Sequence, residues 1–383
     1  MDRRSFLKAT AASAGIAMVN GASGSAGATP GTRAGRRRGA LAAQIPAGYE
    51  LIDLYANVEQ VVVGEQGYIG SVRDVANDGT AIGEVVENGI LRAVTWDPAG
   101  TMNYLPLGPN EGTWSIGWVI NSAGIAGGEL RPPETAHAEG VQVDLDKTPL
   151  IWRNGVLQES AAEFLPVGTE IFRLGEDGWF TGSIGDAPAR WTADGVVETM
   201  DVPAGFTSGT ARARNATGDT AIVVYEAGPP FAGGVPGIWG VDGSVTLFDP
   251  PGGRAPGWAG VIRPVYLSDD GQLVIHAVDG ESYFGQLYRY VDGVDQPIAD
   301  AYGEGARLSD ADTQGVVVGV SAYSGLTIPT MWIDDQPIVI ADLIVPGPDR
   351  LLTNVSGIND DGAMVGYARD SAGITYSVLL RPV

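Results

Sequence analysis

The sequence predicts an all-β fold: a seven-bladed β-propeller of four-stranded antiparallel blades, its ring closed by the N-terminal strand. Three observations predict it: a turn phrase repeated seven times, an aromatic register in step with that phrase, and a final unit one strand short. The phrase is an apolar or small residue, polar turn residues, a glycine and a β-prone run. It reads VANDGTAIG around Gly79, INSAGIAGG around Gly124 and LGEDGWFTG around Gly178. It continues as RNATGDTAI around Gly218, LSDDGQLVI around Gly271, ADTQGVVVG around Gly315 and INDDGAMVG around Gly362. The glycines are 45, 54, 40, 53, 44 and 47 residues apart. Such a period, with several strands per unit, is how propeller blades appear in sequence.

Each unit runs in the same order. A strand, turn and strand around the glycine lead through a variable loop to a strand bearing Trp96, Trp152, Trp191, Trp239, Tyr290 or Trp332. The seventh unit has Tyr376-Ser-Val-Leu-Leu380 in that place. A tight turn follows, as in Arg153-Asn-Gly155 and Val291-Asp-Gly293, where Asn-Gly and Asp-Gly supply the positive φ angles of hairpins. A last strand is expected at residues 102–107, 156–160, 196–202, 244–248, 296–301 and 337–343. The seventh unit ends at Arg381-Pro-Val383 without one. Tyr49-Glu-Leu-Ile-Asp-Leu-Tyr55, ahead of the first unit, fits the missing place, and pairing there removes a free sheet edge. The alternative is an open array with a stray N-terminal strand.

The pattern resembles the bacterial extracellular repeat proteins of the HAF family. Their units look like an Ile-Asn-x-x-Gly-x-Val-Val-Gly turn, an Ala-Phe-Leu-Trp strand and a strand ending in Asp-Leu. Ile358-Asn-Asp-Asp-Gly-Ala-Met-Val-Gly366 and Ile120-Asn-Ser-Ala-Gly-Ile-Ala-Gly127 match the first element closely. Ala93-Val-Thr-Trp96 lacks the Phe of the second, and Ile52-Asp-Leu54 and Ala341-Asp-Leu343 carry the third. The resemblance covers most of residues 49–383. It implies a secreted β-propeller and assigns no activity, so no catalytic residue is carried over.

At the N-terminus, Asp2-Arg-Arg-Ser-Phe-Leu-Lys8 resembles the twin-arginine export consensus, followed by a weakly apolar stretch over 9–19 and an A-x-A site at Ala26-Gly-Ala28. A second cleavage candidate is Ala40-Leu-Ala42. The expected organisation is a twin-arginine signal peptide over 1–28, a flexible linker over 29–46 and the propeller over 47–383. Arg36-Arg-Arg38 in the linker reads as a solvated run or as a contact to a membrane surface or cell wall. Twin-arginine export implies cargo that folds before transport, which suits a ring that cannot close until both ends exist. No segment reaches transmembrane length.

Composition narrows the chemistry. With no cysteine there is no disulfide framework, thiolate zinc site or thiol nucleophile. Two histidines, His137 and His276, leave no His-rich metal site, and no GxSxG elbow, phosphate loop or dinucleotide fingerprint is present. His276, within Leu273-Val-Ile-His-Ala277, reads as a structural strand residue. The chain holds 46 acidic and 23 basic residues. Residues 1–42 take seven of the bases and one acid, so 45 acids face 16 bases in the remainder, with Lys147 the one lysine there. Such a surface disfavours nucleic acid. No cofactor is identified. Calcium is a candidate at Asp144 with Asp146, Asp310 with Asp312, or Asp360 with Asp361, though Asp also favours turns on its own account.

The few arginines are the best functional clue. The strand before each turn glycine should line the central channel, and in five units it holds Arg73, Arg173, Arg212, Arg263 and Arg307. Arg73 and Arg212 lie six residues before the glycine, and Arg263 and Arg307 eight, an even spacing that places all four on one strand face. Arg173, five before, is out of phase unless a bulge intervenes. Two readings stand: an inward guanidinium ring for carboxylates, sulfates or phosphates, or arginines paired with neighbouring acids such as Asp74 and Glu170. Trp114, Phe231 and Trp258 fall outside the aromatic register and are candidates to stack on a sugar or a partner surface, or to plug the rim. Two function classes follow. One is a monomeric extracellular binding or scaffold module for a glycan, an anionic ligand or a protein; the other is a carbohydrate-active enzyme, a glycoside hydrolase or polysaccharide lyase, at the channel mouth. Clustered, open carboxylates beside an Arg or Tyr would favour the enzyme; an all-paired pore would favour binding.

Overall fold

The structure is a computed structural model that describes residues 46–54, 70–87, 89–107, 113–131, 147–227, 234–253, 261–278, 284–345 and 350–383. The signal and linker residues 1–45, His137, Asp144, Asp146, Phe231 and Trp258 lie outside the described residues. The described residues form 28 strands in seven four-stranded antiparallel sheets. Blades 1–6 each take four consecutive strands, beginning at β2 (Gly70–Val75), β6 (Trp114–Ile120), β10 (Glu170–Leu174), β14 (Ser208–Arg214), β18 (Val261–Leu267) and β22 (Ala306–Ala311). Blade 7 orders β1 (Tyr49–Asp53), β28 (Thr375–Pro382), β27 (Met364–Asp370) and β26 (Arg350–Ile358). Tyr49 pairs with Pro382 and Asp53 with Val378, so the N-terminal strand completes the last blade as expected. The first strands of successive blades adjoin one another all the way round, β26 against β2 included, which makes them the wall of a central channel.

Blades 1–6 each bury the aromatic residue of the register in the core. Trp96, Trp152, Trp191, Trp332 and Tyr290 are almost wholly buried. Each pairs with the residue two beyond the turn glycine, as in Trp96 with Ala81 and Trp332 with Val317. In blade 7 that register falls on Leu380, opposite Met364, rather than on Tyr376. Burying an indole leaves its N–H to satisfy. Trp152 donates to the Pro106 carbonyl (2.8 Å), Trp332 to Ala299 (2.9 Å), and Tyr290 OH to Asp249 (2.8 Å), in each case where the preceding blade's outer strand ends. The outer strands are shorter than expected: Met102–Tyr104, Val156–Leu157, Val197–Thr199, Val245–Leu247, Val294–Ile298 and Gln336–Val339. After three of them the chain coils into 3-10 turns, Glu159–Glu163, Pro251–Gly253 and Ile340–Leu343, so the Asp342-Leu343 pair ends a turn and not a strand. These residues have left the ladder to pass to the next blade.

A bulge recurs in every innermost strand. The register slips across Val72/Asp74, Gly117/Val119, Ile171/Arg173, Ala211/Ala213, Pro264/Tyr266, Leu308/Asp310 and Val355/Gly357. The extra residue, six before the turn glycine each time, is Arg73, Trp118, Phe172, Arg212, Val265, Ser309 or Ser356. A bulge bends its strand and re-aims side chains. It also presses the inner strand onto the second strand. A Cβ at Gly83, Gly182, Gly319 or Gly366 would lie well inside 3 Å of the carbonyl oxygen of Ser71, Glu170, Arg307 or Asn354. The glycine that ends the repeated phrase is therefore a close-approach residue.

Candidate functional site

The channel has two chemically distinct ends. At the end where the inner strands turn back, a cavity of about 380 Å³ opens among Asp74, Trp118, Arg173, Tyr266, Asp310 and Asp360. Its polar groups form circumferential belts. Three residues before the turn glycine, Asn121, Asn215 and Asn359 cap their own turns, their Oδ1 atoms accepting the N–H of Ile125, Asp219 and Ala363. Their Nδ2 atoms donate to the carbonyls of Gly175, Ser268 and Ala76 in the next blade (2.7–3.1 Å). The Asn of the repeated phrase thus acts both as turn cap and as inter-blade latch. Blade 6 has Asp312 there, which caps through the amides of Gln314 and Val316 and, ionised, has no proton to donate onward.

Carboxylates complete the belts. Asp74 accepts from the Val75 amide (2.8 Å) and, across the blade boundary, from Ile120 (3.0 Å); Asp310 accepts likewise from Ile358 (3.0 Å). Glu176 takes the amides of Asn77 and Ser122 (3.0 Å each), and Asp360 that of Thr313 (2.8 Å). Burial, then the Asp310 charge, pushes Asp74 up to about 7 despite these amides and Arg173. Burial does the same to Asp312, at about 7. Asp360 sits below its ordinary range: burial raises it, but hydrogen bonds from Thr313 and Asn77 outweigh that. Of the calcium candidates within the described residues, Asp310, Asp312 and Asp360 are bound to amides, and no group of three or more His, Asp or Glu there is arranged to hold a metal.

All five predicted arginines lie on innermost strands, but the structure gives them different partners. Arg73 forks onto the buried Glu84 (2.7 and 3.2 Å) and stacks over Trp118 (4.5 Å). Arg173 is brought into the lumen by the bulge beside it. From blade 3 it spans the channel to the Val265 carbonyl of blade 5 (3.0 Å) and to the Ala311 carbonyl and Asp310 carboxylate of blade 6 (2.9 Å to the latter). Arg212 stacks on Phe172 (3.5 Å) and donates to Thr210 (3.2 Å); burial, chiefly, lowers its pKa. Trp118 and Phe172, the stacking surfaces, were not singled out in the sequence. Their signal was available, since both stand six before a turn glycine, as Arg73 and Arg212 do. Trp114 begins β6 opposite Arg131 and does not join the cavity.

Arg263 and Arg307 mark the other end. They occupy matching positions on the adjoining strands β18 and β22, eight before their glycines. Arg307 reaches Asn354 at 3.4 Å. Arg263 is exposed and has no carboxylate partner among the described residues. Directly across from Arg263 on the second strand stands His276, 1 % exposed.

No protein-family model matches the chain, and no curated protein is significantly similar to it in sequence. Solved structures do match in shape. Puromycin hydrolase aligns at TM-score 0.55 and 12 % identity, over 88 % of this chain and 55 % of that one. A streptogramin B lyase aligns at 0.46 and 13 %, over 87 % and 98 %. A gluconolactonase from Xanthomonas campestris aligns at 0.40 and 14 %, over 86 % and 89 %. At such identities the likeness is one of fold, and function rests with the site.

Proposed function

We propose that this chain is a secreted, monomeric binding or scaffold propeller that takes an anionic group, free or on an extracellular glycan or protein, at the arginine end of its channel. The observation that carries this reading is Arg263: an exposed guanidinium on the channel wall, beside Arg307, without a carboxylate partner among the described residues of a chain of net charge −23. Among the described residues Arg212 and Arg369 also lack a carboxylate partner, but Arg263 combines that with exposure on an innermost strand, and the guanidinium fork suits carboxylate, sulfate or phosphate. Arg73, Arg173 and Arg212 then serve as walls and struts, while Trp114, Phe231 and Trp258 are offered as rim contacts. The opposite end supports binding rather than turnover, because its carboxylates brace neighbouring blades through amides instead of standing open as an acid–base pair. Membership of the HAF extracellular repeat group, a twin-arginine signal over 1–28 and a linker over 29–46 complete the proposal; the turn phrases and the Arg3-Arg4 motif support it. Immobilised acidic and neutral polysaccharides test it: retention on acidic polymers alone, lost in Arg263→Gln, is the expected result. Release of reducing or unsaturated ends would replace it with the enzyme reading.

A further inference from the structure

His276 sits in the second strand of blade 5 with its side chain on the sheet face it shares with Arg263, its direct antiparallel partner. Leu287, its partner on the third strand, is apolar. Among the described residues neither ring nitrogen meets a partner at hydrogen-bond geometry, the Ala306 carbonyl being the acceptor near enough to act on the ring. A buried polar group without partners is uncommon and costly, so it calls for an explanation. The charges acting on the ring are Arg263 from its own blade and Arg307 from blade 6; together with burial, which is the larger cause, they hold its pKa down at about 3. The Ala306 carbonyl, which already accepts from Gly285, favours the protonated form. On the blade 4 side, Arg212 feels the charges of both Arg263 and Glu170.

We propose that Arg263 and Arg307 form a two-armed seat for a compact oxyanion, and that filling the seat is coupled to protonation of His276 behind it. The inference rests on the anionic reading above and adds its regulation. An oxyanion between the two guanidinium groups neutralises the charges that oppose an imidazolium. The proton that the empty site repels is then retained, and by reciprocity the protonated ring binds the anion more tightly. Anion affinity is flat near neutrality, rises as pH falls through the anion-bound midpoint of His276, and levels off below the unliganded one.

The chain has two histidines, so His137→Gln leaves a single imidazole to follow by NMR. Its midpoint is measured on the full chain alone, with inorganic sulfate and with galacturonate, each at a saturating concentration set by calorimetry. The expected result is an upward shift of at least about one pH unit, equivalent to about tenfold tighter binding to the protonated form. The shift disappears in Arg263→Gln and in Arg307→Gln. A shift with both probes makes the oxyanion itself the recognised unit; a shift with galacturonate alone assigns it to a saccharide carboxylate. Binding that requires Arg263 but leaves the His276 midpoint unmoved overturns the coupling and keeps the anion site. Failure of both probes to bind overturns the anionic reading and the coupling with it.

Discussion

The two ends of the channel are built on opposite principles. At the turn end, a few roles recur in several blades: Asn121, Asn215 and Asn359 in blades 2, 4 and 7, and Asp74 and Asp310 in blades 1 and 6. An Asn or its substitute caps a turn and latches the next blade, and an acid receives the neighbouring amide. At the arginine end the matching positions hold Ser71, Ile116, Glu170, Thr210, Arg263, Arg307 and Asn354, residues of no common type. Repetition there has been given up. What all blades keep, the turn glycine and the bulge, and the braces that recur in several of them belong to the ring as a fold; what two adjoining blades alone possess points to a ligand.

Substitutions can break or sharpen that contrast. The largest effect is expected at the bulge contact: Gly319→Ala drives a Cβ into the Arg307 carbonyl and should cost about 3 kcal/mol by urea melting, or prevent folding. Asn359→Ala removes a turn cap and a latch at a position 4 % exposed, for about 2 kcal/mol. Asp312→Asn runs the other way. It gives blade 6 the amide that blades 2, 4 and 7 use, and should stabilise by about 1 kcal/mol at pH 8. Arg263→Gln should leave the melting curve within about 0.5 kcal/mol of the parent while abolishing anion retention. If it unfolds the ring instead, the arginine end is structural too and the contrast collapses.

The pH dependence follows the same division. Asp74 and Asp312 hold a proton more tightly folded, at about 7, than at their ordinary 3.8. Their contribution to stability is full below about pH 4 and is lost as pH rises through about 7. His276, held at about 3 against an ordinary 6.5, contributes fully above 6.5 and loses its share as pH falls. Two carboxyls outweigh one imidazole, so stability should decline from pH 5 to 8. Asp74→Asn and Asp312→Asn should flatten that decline, which denaturant melts across the range would show.

Much of the ring was legible from sequence because it is periodic. Seven turn glycines, at φ 72–97°, and, in blades 1–6, an aromatic paired two residues beyond the turn glycine are local signals that repetition amplifies. Closure was legible because the last unit lacked a strand that the first residues could supply. The channel interior was not. Arg173 finds its partners 92 to 138 residues away, a relation no spacing encodes, and only the bulge beside it brings it into the lumen. Arg73 and Arg263 have the same chemistry and similar placement, yet one is neutralised by a buried Glu84 and the other faces His276. Arg73 is the bulge residue and reaches Glu84, which stands opposite Ser71, whereas Arg263 lies before its bulge and directly opposite His276, so the bulge and the register decide.

The pairing of Tyr49 with Pro382 also sets how the molecule meets mechanical load. The two ends leave the same blade side by side on antiparallel neighbours, so a pull that separates them loads the β1–β28 ladder one rung at a time. Peeling of that kind yields at low force. Tension applied through the N-terminus alone would strip one strand, with the ion pairs Arg350–Asp53 and Arg381–Glu50, before it reached the other six blades.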